Sequence, residues 1–305
     1  MLSNIGVAYF TLSKYENKEA NIDSSISCTL TALKINSLKN NRRSWANAEK
    51  NLASPYLELM TLNTDTGNIY SAINCLDSSL KYYTLEEFPN ENAEILANKA
   101  VAFRSLGQFT DNSNYIWKTI NYERSKKYNN EALKTLLLPS DRDGRERVAQ
   151  IRQNIGSLDV IYSDIIKNKT EKKKTIKEAI TYLNMALDVF NLNQYPLIYA
   201  SINDDFGNAF TEFASIEDKR NNLYKAENYY NEAFRIFIEE NHPIEYAGTI
   251  DDYGDYYKEL ATFKDKIINL SKADSCYKVA LRIYTEKDQK GQCKRVREKL
   301  DNLYK

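Results

Sequence analysis

The feature that most constrains this chain is an internal repeat with a period of 47 residues. The stretch from Pro196 to Phe237 aligns with the stretch from Pro243 to Tyr284 at a constant shift of 47 (243 − 196). The clearest matched blocks are Asp204-Asp205-Phe206-Gly207 against Asp251-Asp252-Tyr253-Gly254, and Ala233-Phe234-Arg235-Ile236 against Ala280-Leu281-Arg282-Ile283. A repeat of this length is typical of a solenoid, in which each unit buries its apolar face against its neighbours.

The repeat can be followed through the whole chain from one small residue in each unit, which we call the anchor. The six anchors are Gly6, Ala53, Ala100, Gly156, Gly207 and Gly254, at steps of 47, 47, 56, 51 and 47 residues. Large apolar residues follow most anchors at three and six positions, which is the spacing of one face of an amphipathic helix. A small residue opposite large ones allows two helix axes to approach closely.

Each unit continues into a second helix and then a turn. The second helices open with a polar residue before Ile or Leu, as in Asn222-Leu223, and asparagine there is expected to cap the first turn. Pro89, Pro196 and Pro243 each stand eleven residues before an anchor, where proline suits the first turn of a new helix. Pro55 lies inside a first helix, where we expect a bend.

These patterns predict an all-α chain, a right-handed α-solenoid of about six helix-turn-helix repeats (period about 47 residues) with a C-terminal capping helix. Repeats 1 to 3 are assigned to residues 1–130, repeats 4 to 6 to residues 148–289 and the cap to residues 290–305. The long step between the third and fourth anchors predicts an inserted short helix and turn at residues 131–147. The cap matches the first half of a seventh repeat and is rich in Lys and Arg.

The unit resembles the tetratricopeptide repeat (TPR) in its small anchor, the aromatic residue three later, the Leu six later and the Ala near the end of the second helix. Its length, with Trp45-Ala46, Tyr199-Ala200 and Tyr246-Ala247 ahead of the anchors, is similar to a long-repeat bacterial branch often joined to caspase-like CHAT peptidase domains. The resemblance covers the whole chain. It implies a bacterial protein with a concave groove that binds a peptide or a partner protein; no peptidase domain is recognisable in the 305 residues.

A row of amide and carboxylate residues two positions before each anchor is the candidate binding site. The row consists of Asn4, Asn51, Asn98, Asn154, Asp205 and Asp252. A carboxamide both donates and accepts, so it can pair with the backbone of an extended peptide, and similar asparagine ladders line the groove in kinesin-light-chain-type repeats. The alternative is that these side chains bond between neighbouring helices, because polar groups beside a core need partners in either case.

Neighbouring positions on the same predicted helix face extend the candidate groove. They are Lys50, Arg104, Gln153, Asp204, Asn208, Glu212, Asp251, Asp255 and Glu259. Because the last two repeats contribute mostly acidic residues, we expect the C-terminal half to prefer a basic segment of the ligand, and salt to weaken that contact; the alternative is an ordinary charged helix face. A lysine cluster at residues 167–174 has two similar interpretations, a site for an acidic partner or a solvated loop, and short charge runs favour the second.

The composition argues against catalysis, metal binding, nucleic acid and membranes. The 42 Lys and Arg residues balance the 42 Asp and Glu residues, so no net field attracts polyanions. One histidine, His242, leaves no His-rich metal site, and the four cysteines have neither metal-ligand spacing nor a disulfide framework. No segment has the pattern of a secretory signal or a membrane span, so we expect a cytoplasmic protein without a cofactor.

The same positions argue against chemistry at thiols and acid pairs. Cys28, Cys75 and Cys276 occupy a repeat position that elsewhere holds tyrosine, which predicts a packing role. The adjacent acids Asp204 and Asp205 point about 100° apart on a helix, so they do not indicate carboxylate catalysis. We therefore expect a non-catalytic protein- or peptide-binding scaffold. The alternative, from the resemblance, is a regulatory or sensor subunit of a CHAT-type peptidase or another effector complex in bacterial signalling or defence.

Overall fold

The computed structural model describes residues 2–36, 40–109, 115–136 and 142–305, and the regular structure in these ranges is entirely α-helical. In chain order the helices are α1 (Leu2–Leu12), α2 (Lys18–Ile35), α3 (Arg42–Asn63), α4 (Gly67–Leu80), α5 (Pro89–Phe109), α6 (Tyr115–Thr135), α7 (Arg142–Ile165), α8 (Lys169–Leu187), α9 (Pro196–Ala214), α10 (Lys219–Phe234), α11 (Pro243–Ala261), α12 (Lys266–Glu286) and α13 (Lys290–Asn302). The prediction of an all-α chain is confirmed.

The chain divides into two compact units, residues 1–139 and 140–305. Within each unit, consecutive helices pack in pairs: α1 with α2, α3 with α4 and α5 with α6, then α7 with α8, α9 with α10 and α11 with α12. The second helix of a pair also contacts the first helix of the next pair, as in α2–α3 and α8–α9, and first helices contact one another, as in α3–α5 and α9–α11. Each unit is therefore a series of stacked helical hairpins, and α13 packs on α12 as the predicted cap.

Two glycine anchors of the second unit lie directly against a tyrosine ring of the second helix of their hairpin. The Cβ of an alanine at Gly207 would lie 2.6 Å from Cε1 of Tyr230, and one at Gly254 would lie 2.5 Å from Cε1 of Tyr277. Non-bonded carbon atoms are most favourably about 3.5–4.0 Å apart, so only glycine lets these two rings approach the backbone of the first helix. Both tyrosines are 0% exposed.

The prolines and the turns set the starts of the helices. Pro89, Pro196 and Pro243 are the first residues of α5, α9 and α11, as predicted, because the missing N–H of proline is not needed in the first turn. Pro55 lies inside α3, which continues on both sides of it, and the bend expected there stays a prediction. Three second helices follow a residue with positive φ, a conformation that Asn and Asp tolerate better than most residues. These residues are Asn17, Asp218 and Asp265.

The asparagines predicted to cap the second helices have a different role. Asn21, Asn222 and Asn269 are buried one turn inside α2, α10 and α12. Each Nδ2 donates to the carbonyl oxygen five residues earlier, at 2.7, 2.7 and 2.8 Å respectively. The capping prediction is wrong because these helices begin about one turn earlier, and the asparagines instead fasten the preceding turn to the helix.

The region of residues 131–147 also differs from expectation. Residues 131–135 belong to α6 and residues 142–147 belong to α7, so the described part of this region contains no separate helix. The extra residues lengthen the neighbouring helices, and residues 137–141 lie outside the described ranges. The remaining predicted boundaries, at residues 1–130, 148–289 and 290–305, stay predictions.

We expect Gly254→Ala to lower the free energy of unfolding by about 1–3 kcal/mol, the usual cost of overpacking a core. Gly248→Ala, in the same helix, is the matched control because its Cβ would meet only the hydroxyl oxygen of Tyr284, at 3.7 Å. The control should be neutral or stabilising by up to about 1 kcal/mol, since alanine favours helix more than glycine. Chemical denaturation followed by circular dichroism measures both variants, and equal destabilisation would contradict the role assigned to the anchor.

Candidate functional site

Each first helix from α3 to α11 keeps one line of half-buried or exposed side chains, mostly polar, at intervals of three to four residues. We call this line the polar stripe. Its members include Asn47, Asn51, Ser54 and Glu58 in α3; Glu94, Asn98, Val101 and Ser105 in α5; Gln150, Asn154 and Ser157 in α7; Ser201, Asp205, Asn208 and Glu212 in α9; and Glu245, Asp252, Asp255 and Glu259 in α11.

The predicted row lies in these stripes. Asn51, Asn98, Asn154, Asp205 and Asp252 are half-buried, and Asn4 in α1 is exposed. All six members of the row are at least partly exposed, and contact with a ligand requires such a placement. A binding role for the row stays a prediction.

Side-chain bonds join the stripe of one first helix to the next first helix in a fixed register. In the first unit, Lys50 pairs with Glu94 at 2.9 Å and the Nδ2 of Asn51 donates to the Oγ of Ser3 at 3.1 Å. The separations along the chain are 44 and 48 residues. The alternative given for the row, bonding between neighbouring helices, therefore describes Asn51.

The second unit uses the same two separations. The Nδ2 of Asn208 donates to Oδ2 of Asp252 at 2.8 Å across 44 residues, and the Nε2 of Gln153 donates to the Oγ of Ser201 at 3.1 Å across 48 residues. Gln153 is buried, so its predicted place on an open groove is wrong. The bonds of Asp252 also fit the alternative of contacts between helices.

A second set of contacts joins the start of a second helix to the end of the next first helix. The pairs are Lys18–Glu58, Lys172–Glu212 and Lys219–Glu259, each separated by 40 residues (for example 212 − 172). Glu212 and Glu259, two predicted groove residues, therefore already face a cation. Lys172 belongs to the predicted lysine cluster, and Lys173 and Lys174 of that cluster pair with Glu217 and Glu178. These pairings favour a structural role for the cluster over a site for an acidic partner.

At the C-terminal end of the second unit, α13 covers two of the predicted acidic groove residues. The side chain of Asp251 is 0% exposed and accepts hydrogen bonds from Nη2 of Arg295 at 3.0 Å and from Nζ of Lys299 at 2.8 Å. Lys299 also reaches Oδ2 of Asp255 at 2.6 Å, and the hydroxyl of Tyr277 donates to Oδ1 of Asp255 at 2.6 Å. The prediction that Asp251 lines an open groove is wrong, because the cap supplies the basic partner itself.

Among the basic residues of the cap, Arg295 and Lys299 were expected on its solvated outer face, and that placement is wrong because both contact α11. Lys299 stands 47 residues after Asp252, so it is the next position of the row with the opposite charge. Extending the row by one more period would have placed a lysine against the acidic residues of α11.

Two of the predicted groove carboxylates, Asp204 and Asp252, have raised pKa values in the folded chain. Burial raises the pKa of Asp252 to about 6, against the opposing charge of Lys299. Burial also raises the pKa of Asp204 well above its usual value, and the charges of Asp252 and Asp205 add to that rise. The two acids are held in an environment that disfavours their ionised forms, and a nearby cation would relieve this.

The remaining predicted residues lie in two separate places. Arg104 is half-buried in α5 of the first unit, and Asn98 lies in the stripe of the same helix. In α7, the Nε2 of Gln150 lies 3.4 Å from the Oδ1 of Asn154. The predicted site residues are thus distributed between the two units.

The described residues contain no group of three or more His, Cys, Asp and Glu side chains placed to hold a metal ion. Among the described helices, none combines the length and apolar character needed to cross a bilayer. His242 immediately precedes α11, and the centre of its ring lies 6.2 Å from that of Phe237. The contacts described for the polar stripes are hydrogen bonds and ion pairs between helices.

The fold makes this chain a helical-hairpin repeat protein. No protein-family model matches it, and a search of curated proteins finds no match. Among solved structures it is similar to the assembly chaperone of RpL4, Acl4 (residues 1–338), at 14% identity and a TM-score of 0.43, over 97% of this chain and 96% of that one. It is also similar to the TPR2AB domain of yeast Sti1 in a complex with pHSP90, at 12% identity and a TM-score of 0.31, over 100% and 97%. Neither similarity places the chain in a family.

We expect Asp252→Asn to stabilise the second unit at neutral pH. Because the pKa of Asp252 is raised on folding, the folded chain binds this proton more tightly than the unfolded chain. Its contribution to stability therefore falls as the pH rises from about 4, the value of an unfolded Asp, towards 6. Asparagine cannot ionise, its side-chain oxygen can still accept from Asn208, and asparagine already occupies this repeat position at residues 51, 98 and 154.

Denaturation midpoints measured between pH 4 and pH 7 test this expectation. The variant should exceed the wild type at pH 7 and converge with it near pH 4. Asp301→Asn, on an exposed position of α13, is the control and should follow the wild type throughout. A constant difference between Asp252→Asn and wild type across the range would contradict the titration argument.

We also expect two cysteines to react slowly in the folded chain. Burial raises the pKa of the Cys75 thiol to about 12, with the carboxylate of Glu49 adding to the rise, and burial raises the pKa of Cys276 to about 11. Because the thiolate is the reactive species, alkylation by iodoacetamide at pH 8 should be at least about 100-fold slower than in denaturant. Mass spectrometry of a labelling time course measures this, and rapid modification of native Cys75 would oppose the packing role.

Proposed function

We propose that this chain is a non-catalytic scaffold that binds a protein or an extended peptide along the polar stripes of its first helices. The observation that carries the proposal is the placement of the Asn and Asp row, whose six members are all at least partly exposed on helices whose opposite faces are buried. Stacked hairpins repeat such a surface at a constant interval, which suits a ligand without secondary structure of its own.

The bonds between helices leave the row with capacity for a ligand. An amide has two N–H donors and one oxygen acceptor, so the single bond from Asn51 to Ser3 engages only one of its N–H groups. A side chain held in place by one bond is also ordered before the ligand arrives, which lowers the entropic cost of binding. The contacts between helices and the contacts with a peptide are therefore compatible uses of the same row.

Among the predicted acidic residues, the preference for a basic ligand rests on Asp204 and Asp252. Glu212, Glu259, Asp251 and Asp255 already face lysine or arginine side chains of the chain itself. A ligand cation beside Asp204 and Asp252 would offset the repulsion between these two acids, which contributes to the raised pKa of Asp204. A more specific role, as a regulatory or sensor subunit of a CHAT-type peptidase or another effector complex in the cytoplasm of a bacterium, is supported by the sequence resemblance alone.

Selection from a displayed library of random extended peptides against the full chain tests the proposal. Enriched peptides should contain Lys or Arg, and the double variant Asn98→Ala, Asp205→Ala should bind them at least ten-fold more weakly, a loss of about 1.4 kcal/mol. The matched control is Asp23→Ala, Asn184→Ala, which removes the same two residue types from exposed positions of second helices. Enrichment of no peptide, or equal loss in both double variants, would contradict binding along the stripes.

A further inference from the structure

The cap α13 occupies the position of the first helix of a further hairpin. Arg295–Asp251 and Lys299–Asp255 are 44 residues apart, and Lys299–Asp251 is 48 residues apart. These are the separations found between the other first helices, for example 44 residues for Asn208–Asp252. The seat that α13 fills on α11 and α12 is therefore built by the repeat to receive a helix in one register.

The contact between α13 and its seat is compact and strongly charged. Its buried apolar side chains are Cys293, Val296 and Leu303, which pack in a cluster with Tyr277 and Tyr284. On the same face, two cations one helical turn apart converge on the fully covered carboxylate of Asp251. Recognition of this helix thus depends on a pair of basic residues at i and i+4 beside a small apolar strip.

The attachment of α13 to the rest of the chain is slight. It is a 13-residue helix, and the three buried apolar side chains of its contact, Cys293, Val296 and Leu303, give little burial to offset the conformational entropy of ordering it. It follows α12 after a short turn in which Asp288 has a φ of 52°. Elements with few buried apolar contacts open locally more readily than the core.

We propose that α13 covers, within its own chain, a docking site for a basic amphipathic helix of another protein, and that such a helix displaces α13. The partner helix carries Arg or Lys at i and i+4, facing Asp251 and Asp255, and apolar residues at i−2, i+1 and i+8, as α13 itself does. Charge complementarity argues for this occupant, because removal of α13 would uncover Asp251 and Asp255 and take away Arg295 and Lys299, with which they form ion pairs. The proposal does not rest on peptide binding along the polar stripes.

A partner helix must compete with the tethered α13 for the same seat, so its affinity must exceed that of the cap. A segment on a short linker has an effective concentration on the order of millimolar, so the wild-type chain should bind an added copy of the same helix only weakly. Weakening the cap without changing the seat should therefore reveal the site. This relation between cap and partner is what the experiment measures.

The probe is a fluorescein-labelled peptide of residues 290–305, titrated into the full chain and followed by fluorescence anisotropy. The double variant Arg295→Ala, Lys299→Ala should bind the peptide at least ten-fold more tightly than the wild type. The control Lys294→Ala, Arg297→Ala removes two cations from exposed positions of the same helix and should bind like the wild type. A peptide with Arg295→Glu and Lys299→Glu should bind none of the chains.

Hydrogen exchange of the amides of α13 measures whether a variant has released the cap from its seat. These amides should exchange faster in Arg295→Ala, Lys299→Ala than in the wild type, and Val296→Asp, at a fully buried position of α13, provides a second way to release the cap. If the amides lose protection in either variant and the peptide still does not bind, the seat takes no helix in trans and the proposal fails. Equal binding by wild type and variants, or binding of the charge-reversed peptide, would also overturn it.

Size-exclusion chromatography separates a partner helix from exchange between copies. A concentration-dependent dimer of the wild type that is lost in Arg295→Ala, Lys299→Ala would assign the seat to α13 of a second copy and overturn the proposal. A wild type that stays monomeric, together with peptide binding by the released variants, supports a foreign helix as the occupant.

Discussion

The contact between a tyrosine ring and a glycine backbone is the interaction on which the rest of the second unit depends. Tyr230 and Tyr277 approach the backbone of the first helix closely only because Gly207 and Gly254 have no Cβ. The contact fixes how far apart the two helices of a hairpin lie and which face of the first helix is covered. It thereby also determines which face stays open, and the polar stripe with its Asn and Asp residues lies on that open face.

The electrostatic arrangement follows from the same stacking. The sequence has as many basic residues as acidic ones. In the structure, ion pairs between helices join residues that are 40, 44 or 48 positions apart. Such pairs contribute little to stability when exposed, but their constant spacing makes them suited to holding one hairpin in register with the next.

Much of the fold could be predicted because the signals in each repeat depend on residues that are close together in the sequence. Proline at the start of a helix and a small residue at the anchor each have one physical meaning that does not depend on distant residues. The asparagines of the second helices were misassigned because a positive-φ residue at Asn17, Asp218 or Asp265 starts each helix a turn earlier. The sequence pattern does not distinguish an asparagine that caps a helix from one inside the helix that bonds to the preceding turn. Asp251 was misassigned because its exposure depends on α13, whose packing against α11 is a contact between separate elements that periodicity within one helix does not describe.

The pairing of four anchors, Gly6, Ala53, Gly207 and Gly254, with the residue 23 positions later has a consequence for how this chain can diverge. Gly207 and Gly254 face tyrosine, Gly6 faces Thr29, and Ala53 shares a core cluster with Leu76. The two positions divide one fixed volume, so a methyl group gained on one side requires atoms lost on the other. A substitution at one of the two positions alone is therefore disfavoured. Related chains should differ at both positions together, with alanine replacing glycine where leucine replaces tyrosine.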